Sequence, residues 1–306
     1  VRSRVLVYLG LVYVVVCWGL NVVFVKSAIA LLDPLAFTAL RFLAMTPLTF
    51  ALVYVSGERV AIERRDVALL ALCAACGYGI YQYLWIIGLA NTSAFASSLL
   101  GATAPIFTIA IVALLGHERI RSVRWLGAVV ALFGIAVFEG AFAGHATFRI
   151  GDALTLLSSI SFAAYNVVTS KLMTRYSPIV LVAVTLTMGM LMILPAGIPR
   201  LIHAPLAHLG WAVWGPFLFA VAFPIVLTWP VWNHGISVIG AARAGLFGFL
   251  VPIVAGFAGV FLLGSRFEMH QLVGAGVCIG GMVIASLFGK FSVSAIWAER
   301  SMPLER

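Results

Sequence analysis

Apolar runs of about twenty residues recur from Val5 to Phe288, the length a helix needs to cross a hydrocarbon core of roughly 30 Å. Short clusters of turn-forming or charged residues separate them at Asp33-Pro34, 56–66, 91–93, 116–124, 140–149, 171–178, 199–209, 235–240 and 264–268. In hydrocarbon each backbone amide and carbonyl must be paired within the chain, so such runs read as helices. The pattern predicts ten of them, at about 5–28, 34–55, 67–90, 94–115, 123–140, 151–171, 178–198, 210–234, 240–263 and 269–288. The fold class is an all-α polytopic membrane protein.

The pattern also repeats. Asn21-x-x-x-x-Lys26 returns as Asn166-x-x-x-x-Lys171, and Trp85, Gly88, Pro105, Gly127 and Gly134 return as Trp232, Gly235, Pro252, Gly274 and Gly281. This divides the chain into a five-helix repeat over 1–141, a second over 142–290 and a tail over 291–306. An odd number of helices per unit makes the second copy enter from the opposite face, which gives two inverted five-helix repeats, an arrangement typical of transporters. Positive charge fixes the direction: Arg2, Arg4, Arg59, Arg64, Arg65, Lys171 and Arg175 fall on one side, which predicts cytoplasmic termini.

Composition agrees. Of 306 residues, 63% are hydrophobic and only 9% charged, with a mean hydropathy of +1.13, which excludes a water-soluble fold. The net charge of +9 is dispersed over loops, so it speaks for membrane topology and against nucleic acid. Cys17, Cys73, Cys76 and Cys278 lie inside apolar runs and read as packing residues. The start, Val-Arg-Ser-Arg before an apolar stretch, has the look of a signal peptide, but the stretch is too long and reads as a retained first helix.

Candidate chemistry is sparse and polar-aromatic. Tyr78, Gln82 and Trp85 share one helical face, Tyr81 adjoins it, and Trp229, Trp232 and Asn233 form a comparable group. These read as facing walls for a planar apolar solute, or else as an interfacial aromatic belt. Asn21 and Asn166 are either polar anchors for a substrate or interhelical glue, with Trp18 and Tyr165 completing a cavity if they face inward. Lys26 and Lys171 read as anchors at helix ends. Arg41 and Arg243 lie deeper, positioned either to steer a carboxylate or to snorkel. Pro105 and Pro252 are hinge candidates that free a carbonyl toward the cavity, and Ser97 and Ser98 offer hydroxyls nearby or simply pack. Gly274, Gly276, Gly280 and Gly281 suit close packing, including between subunits; the oligomeric state is left open. No acid falls at the midplane, His234 is the deep histidine, and no metal, cofactor or nucleophile constellation stands out.

Trp18-Gly19-Leu20-Asn21 with Lys26, Pro34 and Arg41, then Gly88 to Ala94, Pro105 and Gly116-His117-Glu118-Arg119, resembles the EamA domain of the drug/metabolite transporter superfamily. Gly151-Asp152-Ala153-Leu154, Tyr165-Asn166, Lys171 and Pro252 supply a second copy, although Ser265-Arg266 lacks a counterpart of Glu118. The resemblance implies a central cavity lined by helices 1, 3, 4, 6, 8 and 9, with helices 5 and 10 peripheral. Aromatic richness in helices 3 and 8 is most similar to the YddG group of aromatic amino acid exporters. The expectation is a bacterial inner-membrane exporter of small metabolites, chiefly aromatic or large neutral amino acids. It would work by alternating access and without a cofactor, as facilitated diffusion or exchange. Purine, nucleoside or drug export, with or without proton coupling, is the alternative, and an intramembrane enzyme a distant one.

Overall fold

The computed structural model describes residues 2–115, 122–138, 148–239 and 247–287, and among them there is helix and turn but no strand. The segments are α1 (Arg2–Ala28), α2 (Pro34–Val55), α3 (Val67–Ala74), α4 (Ile80–Ala90), α5 (Ala94–Gly101), α6 (Ala104–Leu114) and α7 (Ser122–Phe138). They continue as α8 (Ile150–Leu172), α9 (Pro178–Ile202), α10 (Trp211–Val221), α11 (Thr228–Ile239), α12 (Val251–Leu263) and α13 (Met269–Leu287). Six stretches among the described residues are long and apolar enough to cross a membrane, and four further apolar helices are shorter.

Helix starts follow local chemistry. Asp33 Oδ1 accepts from the amides of Leu35 and Ala36 at 2.9 and 3.0 Å ahead of Pro34, and Ser177 Oγ does the same for Val180 at 3.3 Å ahead of Pro178. A short polar cap followed by a proline, whose missing N–H would be unpaired there anyway, sets the first turn in both cases. Asp152 caps α8 by accepting from the Arg149 amide at 2.7 Å.

Some expected boundaries are wrong. Helix α9 runs on to Ile202 with Pro195 and Pro199 inside it, and α11 continues through Gly235 to Ile239. In contrast, the run over 94–115 splits at Ala102-Thr103, and Phe249-Leu250 form a turn ahead of α12, so Pro105 and Pro252 lie in the first turns that follow these breaks. Two π-helical turns, Ala75–Gly79 between α3 and α4 and Ala222–Leu227 between α10 and α11, have no counterpart in the sequence reading. Both pairs of irregularities are separated along the chain by the same interval that relates Trp85 to Trp232. Pro224 cannot donate to the helical ladder, and Gly77 leaves room for the Tyr165 ring, which would lie 2.2 Å from a Cβ there.

Packing is pairwise. Helix α2 lies along α9, α7 along α13, α4 on α8, and α1 against α10, α11 and α12. Where α7 crosses α13, a Cβ on Gly127, Gly134, Gly274 or Gly281 would meet backbone of the other helix at 2.3–2.4 Å. The glycine series of the last helix therefore divides: Gly274 and Gly281 serve contact within the chain, while Gly276 and Gly280 have nothing within 4 Å. Without a hydrophobic drive between helices in lipid, this close approach and its dispersion are what hold α7 to α13. Gly281→Ala should cost about 1–3 kcal/mol by overpacking, and Gly280→Ala should raise stability by up to about 1 kcal/mol, since alanine is the better helix former where space is open. Thermal unfolding of the purified variants in detergent checks the contrast.

Candidate functional site

The two π turns bring aromatic side chains from distant parts of the chain into one cluster. Tyr78, on the first π turn, lies with its ring centroid 5.0 Å from Trp229 and 5.9 Å from Tyr165, and Tyr165 lies 5.1 Å from Trp229. Phe162 stacks on Tyr165 at 5.6 Å, approaches Trp229 at 5.8 Å and meets Tyr81 at 5.1 Å. Tilted and edge-on geometries dominate, as ring quadrupoles favour. Tyr78, Tyr165 and Trp229 are buried, and the hydroxyls of both tyrosines make no hydrogen bond of good geometry.

Trp232 and Trp85 stand apart from this cluster. Trp232 packs against Trp18 at 4.9 Å, and the Trp18 indole donates to Thr228 Oγ1 at 2.8 Å and to the Pro224 carbonyl at 3.0 Å. Pro224 belongs to the second π turn; in the first, the Cys76 carbonyl accepts from Ser161 of α8 at 2.9 Å. Each π turn thus has a displaced carbonyl satisfied by a donor from the opposite half of the chain. The break at Ala102-Thr103 is closed likewise: the Leu100 carbonyl accepts from Thr103 Oγ1 at 2.6 Å and from Ser159 of α8 at 2.9 Å. That carbonyl is held by α8, so it is not available to a solute.

Arg41 is the residue that sequence reasoning undervalued. It does not snorkel: its side chain is 1% exposed, and Nη2 donates to Gln82 Oε1 at 2.6 Å. Phe37, Phe42 and Trp85 surround the guanidinium at 5.7–5.9 Å from their centroids, near the limit of cation–π attraction. Its Nε has no partner, and no carboxylate among the described residues pairs with it. Desolvating a charge costs several kcal/mol. One hydrogen bond involving a charged group returns only about 1.5–3 kcal/mol. The signal was an arginine inside an apolar run; the sequence could not say whether its head reached water.

The other candidates scatter. Asn21 is buried with Oδ1 unpartnered, Asn166 is half-buried, and Ser97 is buried with an unpartnered hydroxyl. The backbone of Asn233 lies in α11, but its side chain, together with Arg243, Glu118 and Glu139, falls outside the described residues. Lys26 donates to the Leu89 and Ala90 carbonyls at 2.7 and 3.0 Å, capping the negative end of α4 rather than of its own helix. His234 has an exposed side chain on α11. His270 pairs with Glu268 at 3.3 Å, and no group of three metal-capable side chains occurs among the described residues.

Polar contacts tie α3–α4 to α8–α9 at both ends. At one end Thr92 donates to Asp152. At the other, Asp66 accepts from Arg175 and from Tyr176, the latter at 2.8 Å, and Ser177 donates to Glu58. Burial raises the Tyr176 hydroxyl above its ordinary range, so it remains a donor. A shallow pocket lined by Arg65, Asp66, Leu69, Leu72, Lys171 and Arg175 opens beside this latch.

With six stretches among the described residues long and apolar enough to cross a membrane, the fold is that of a multi-pass membrane protein. The chain belongs to the EamA-like transporter family, which matches residues 5–139 and again 149–287. It is 26% identical to an uncharacterized transporter of Archaeoglobus fulgidus over 90% of this chain and 97% of that one. It is 27% identical to a probable terminal-alkyne amino-acid exporter of Streptantibioticus cattleyicolor, covering 83% and 85%. A probable amino-acid metabolite efflux pump of Salmonella typhimurium is 26% identical over 90% and 93%. A solved crystal structure with 17% identity superposes with a TM-score of 0.66 over 92% of this chain and 96% of the other, a likeness of fold.

Because Gln82 supplies the hydrogen bond of Arg41, Gln82→Leu should lower stability by about 1–3 kcal/mol. Tyr83→Leu, one position on and 44% exposed, should stay within about 0.5 kcal/mol of wild type. Thermal unfolding in detergent measures both.

Proposed function

We propose that this protein exports amino acids, chiefly aromatic or large neutral ones, from the cytoplasm across a bacterial inner membrane. The observation that carries the reading is the cluster of Tyr78, Tyr165, Trp229 and Phe162, built from both halves of the chain and buried within the bundle. An indole gains there the same edge and tilted contacts that the rings now make with one another, and a large aliphatic side chain gains their apolar area. The relatives named for amino-acid export support the choice of solute.

The architecture behind this reading is ten spans in two inverted five-helix repeats, 1–141 and 142–290. Its supports are the paired π turns, the paired proline breaks and the reciprocal packing, in which α1 meets α10–α12 while α8 meets α3–α6. Two units of opposite direction around one site give two conformations of similar energy, each open to one side, which is alternating access. The basic end bearing Arg65, Lys171 and Arg175 is cytoplasmic on this reading, as are both termini. None of the described carboxylates joins the central cluster, which favours facilitated diffusion or exchange over a buried proton relay.

Counterflow into proteoliposomes tests the solute. Labelled L-tryptophan should exchange against internal L-tryptophan or L-leucine, with no requirement for a pH gradient, and adenosine should compete weakly. Tyr78→Ala combined with Trp229→Ala should reduce the rate about tenfold or more, since two ring contacts of about 0.5–1.5 kcal/mol each are lost together with their burial. Preferential exchange of adenosine would replace amino acids by nucleosides.

A further inference from the structure

Arg41 combines four observations that a packing role leaves unexplained together. It is buried about 10 Å of helix below Pro34, well inside the hydrocarbon. Its hydrogen-bond partner, Gln82, is neutral. Its Nε points at no acceptor. And its ring neighbours lead directly to the aromatic cluster, because Phe42, which packs under the guanidinium, meets Tyr78 edge-on at 6.4 Å, and Tyr78 meets Trp229.

A guanidinium presents a planar fork of donors that matches a carboxylate, and an intramembrane cation without a fixed anion is relieved most by an anion that arrives. We infer that Arg41, positioned by Gln82, is the carboxylate-recognition site of the carrier, with the apolar part of the solute lying along Phe42, Tyr78 and Trp229. Both nitrogens of one edge of the fork then serve the solute, and the charge is neutralised only in the loaded state. Since Arg41 is covered here, loading requires α2 and α4 to part, and the π turn at the start of α4 is the place where that helix can shift its register. The inference rests on the proposed amino-acid export for the remainder of the solute; the carboxylate itself is a separate statement and fails separately.

The experiment is competition against L-tryptophan counterflow in proteoliposomes, using L-tryptophan, L-tryptophanamide, tryptamine and indole-3-propionate, with labelled indole-3-propionate and adenosine run as alternative solutes. In the wild type, L-tryptophan should compete about ten- to a hundredfold better than its amide, the factor expected of a charge-assisted pair. Arg41→Gln should narrow that ratio to about twofold by weakening the acid and sparing the amide, and Arg41→Lys should restore part of it. Equal competition by acid and amide in the wild type overturns the inference, whether or not the variant folds. An equal loss for both in Arg41→Gln that reconstitutes normally overturns it too. If tryptophan is not carried but indole-3-propionate is, and depends on Arg41, the amino-acid reading falls while the carboxylate site stands. Carriage of adenosine alone, indifferent to Arg41, defeats both.

Discussion

A backbone carbonyl or amide left unpaired in hydrocarbon is costly, and much of this structure answers to that constraint. A continuous helix meets it alone. The two π turns and the break at Ala102-Thr103 do not, and each recruits side chains to the carbonyl it displaces: Ser161 for Cys76, Trp18 and Thr228 for Pro224, Ser159 and Thr103 for Leu100. The irregular segments are therefore also among the places where the halves of the chain are hydrogen-bonded to one another. Helix irregularity and assembly are solved by the same contacts.

Seen this way, the polar side chains of the interior divide by whether their partner is the protein itself. Thr228, Ser159 and Ser161 complete the backbone. Lys26 completes the end of α4. Arg41 Nε, Asn21 Oδ1 and the Ser97 hydroxyl have no hydrogen-bond partner in the chain, and the hydroxyls of Tyr78 and Tyr165 have none of good geometry. A buried group left without its hydrogen bond costs stability. On the proposed reading, the aromatic cluster gives a solute area and the residual polar capacity gives it orientation, the usual division of labour in a small-molecule site.

Membership of a transporter family and the placement of these groups lead to the same mechanical picture. Close glycine contacts fix α7 to α13, while the segments carrying the aromatic cluster are interrupted by π turns and prolines, where a helix changes direction at low cost. On the proposed reading, the first is the part that holds its shape and the second the part that admits a solute.

The sequence by itself determined the helical character, most of the helix limits, the doubling of motifs and a glycine series suited to close packing, because these follow from hydropathy, caps and the absence of a side chain, all local properties. It also singled out Tyr78, Tyr165, Trp229 and Gln82. Only the tertiary structure decided that Trp229 rather than Trp232 meets Tyr78, that Lys26 caps another helix, that Arg41 is sealed from water, and that π turns lie where the sequence reads as plain helix. A single helix period tells which residues share a face; it does not tell what the neighbouring helix brings to that face. The rotation each π turn adds, and the partner each buried charge finds, are set by packing between segments far apart in the chain.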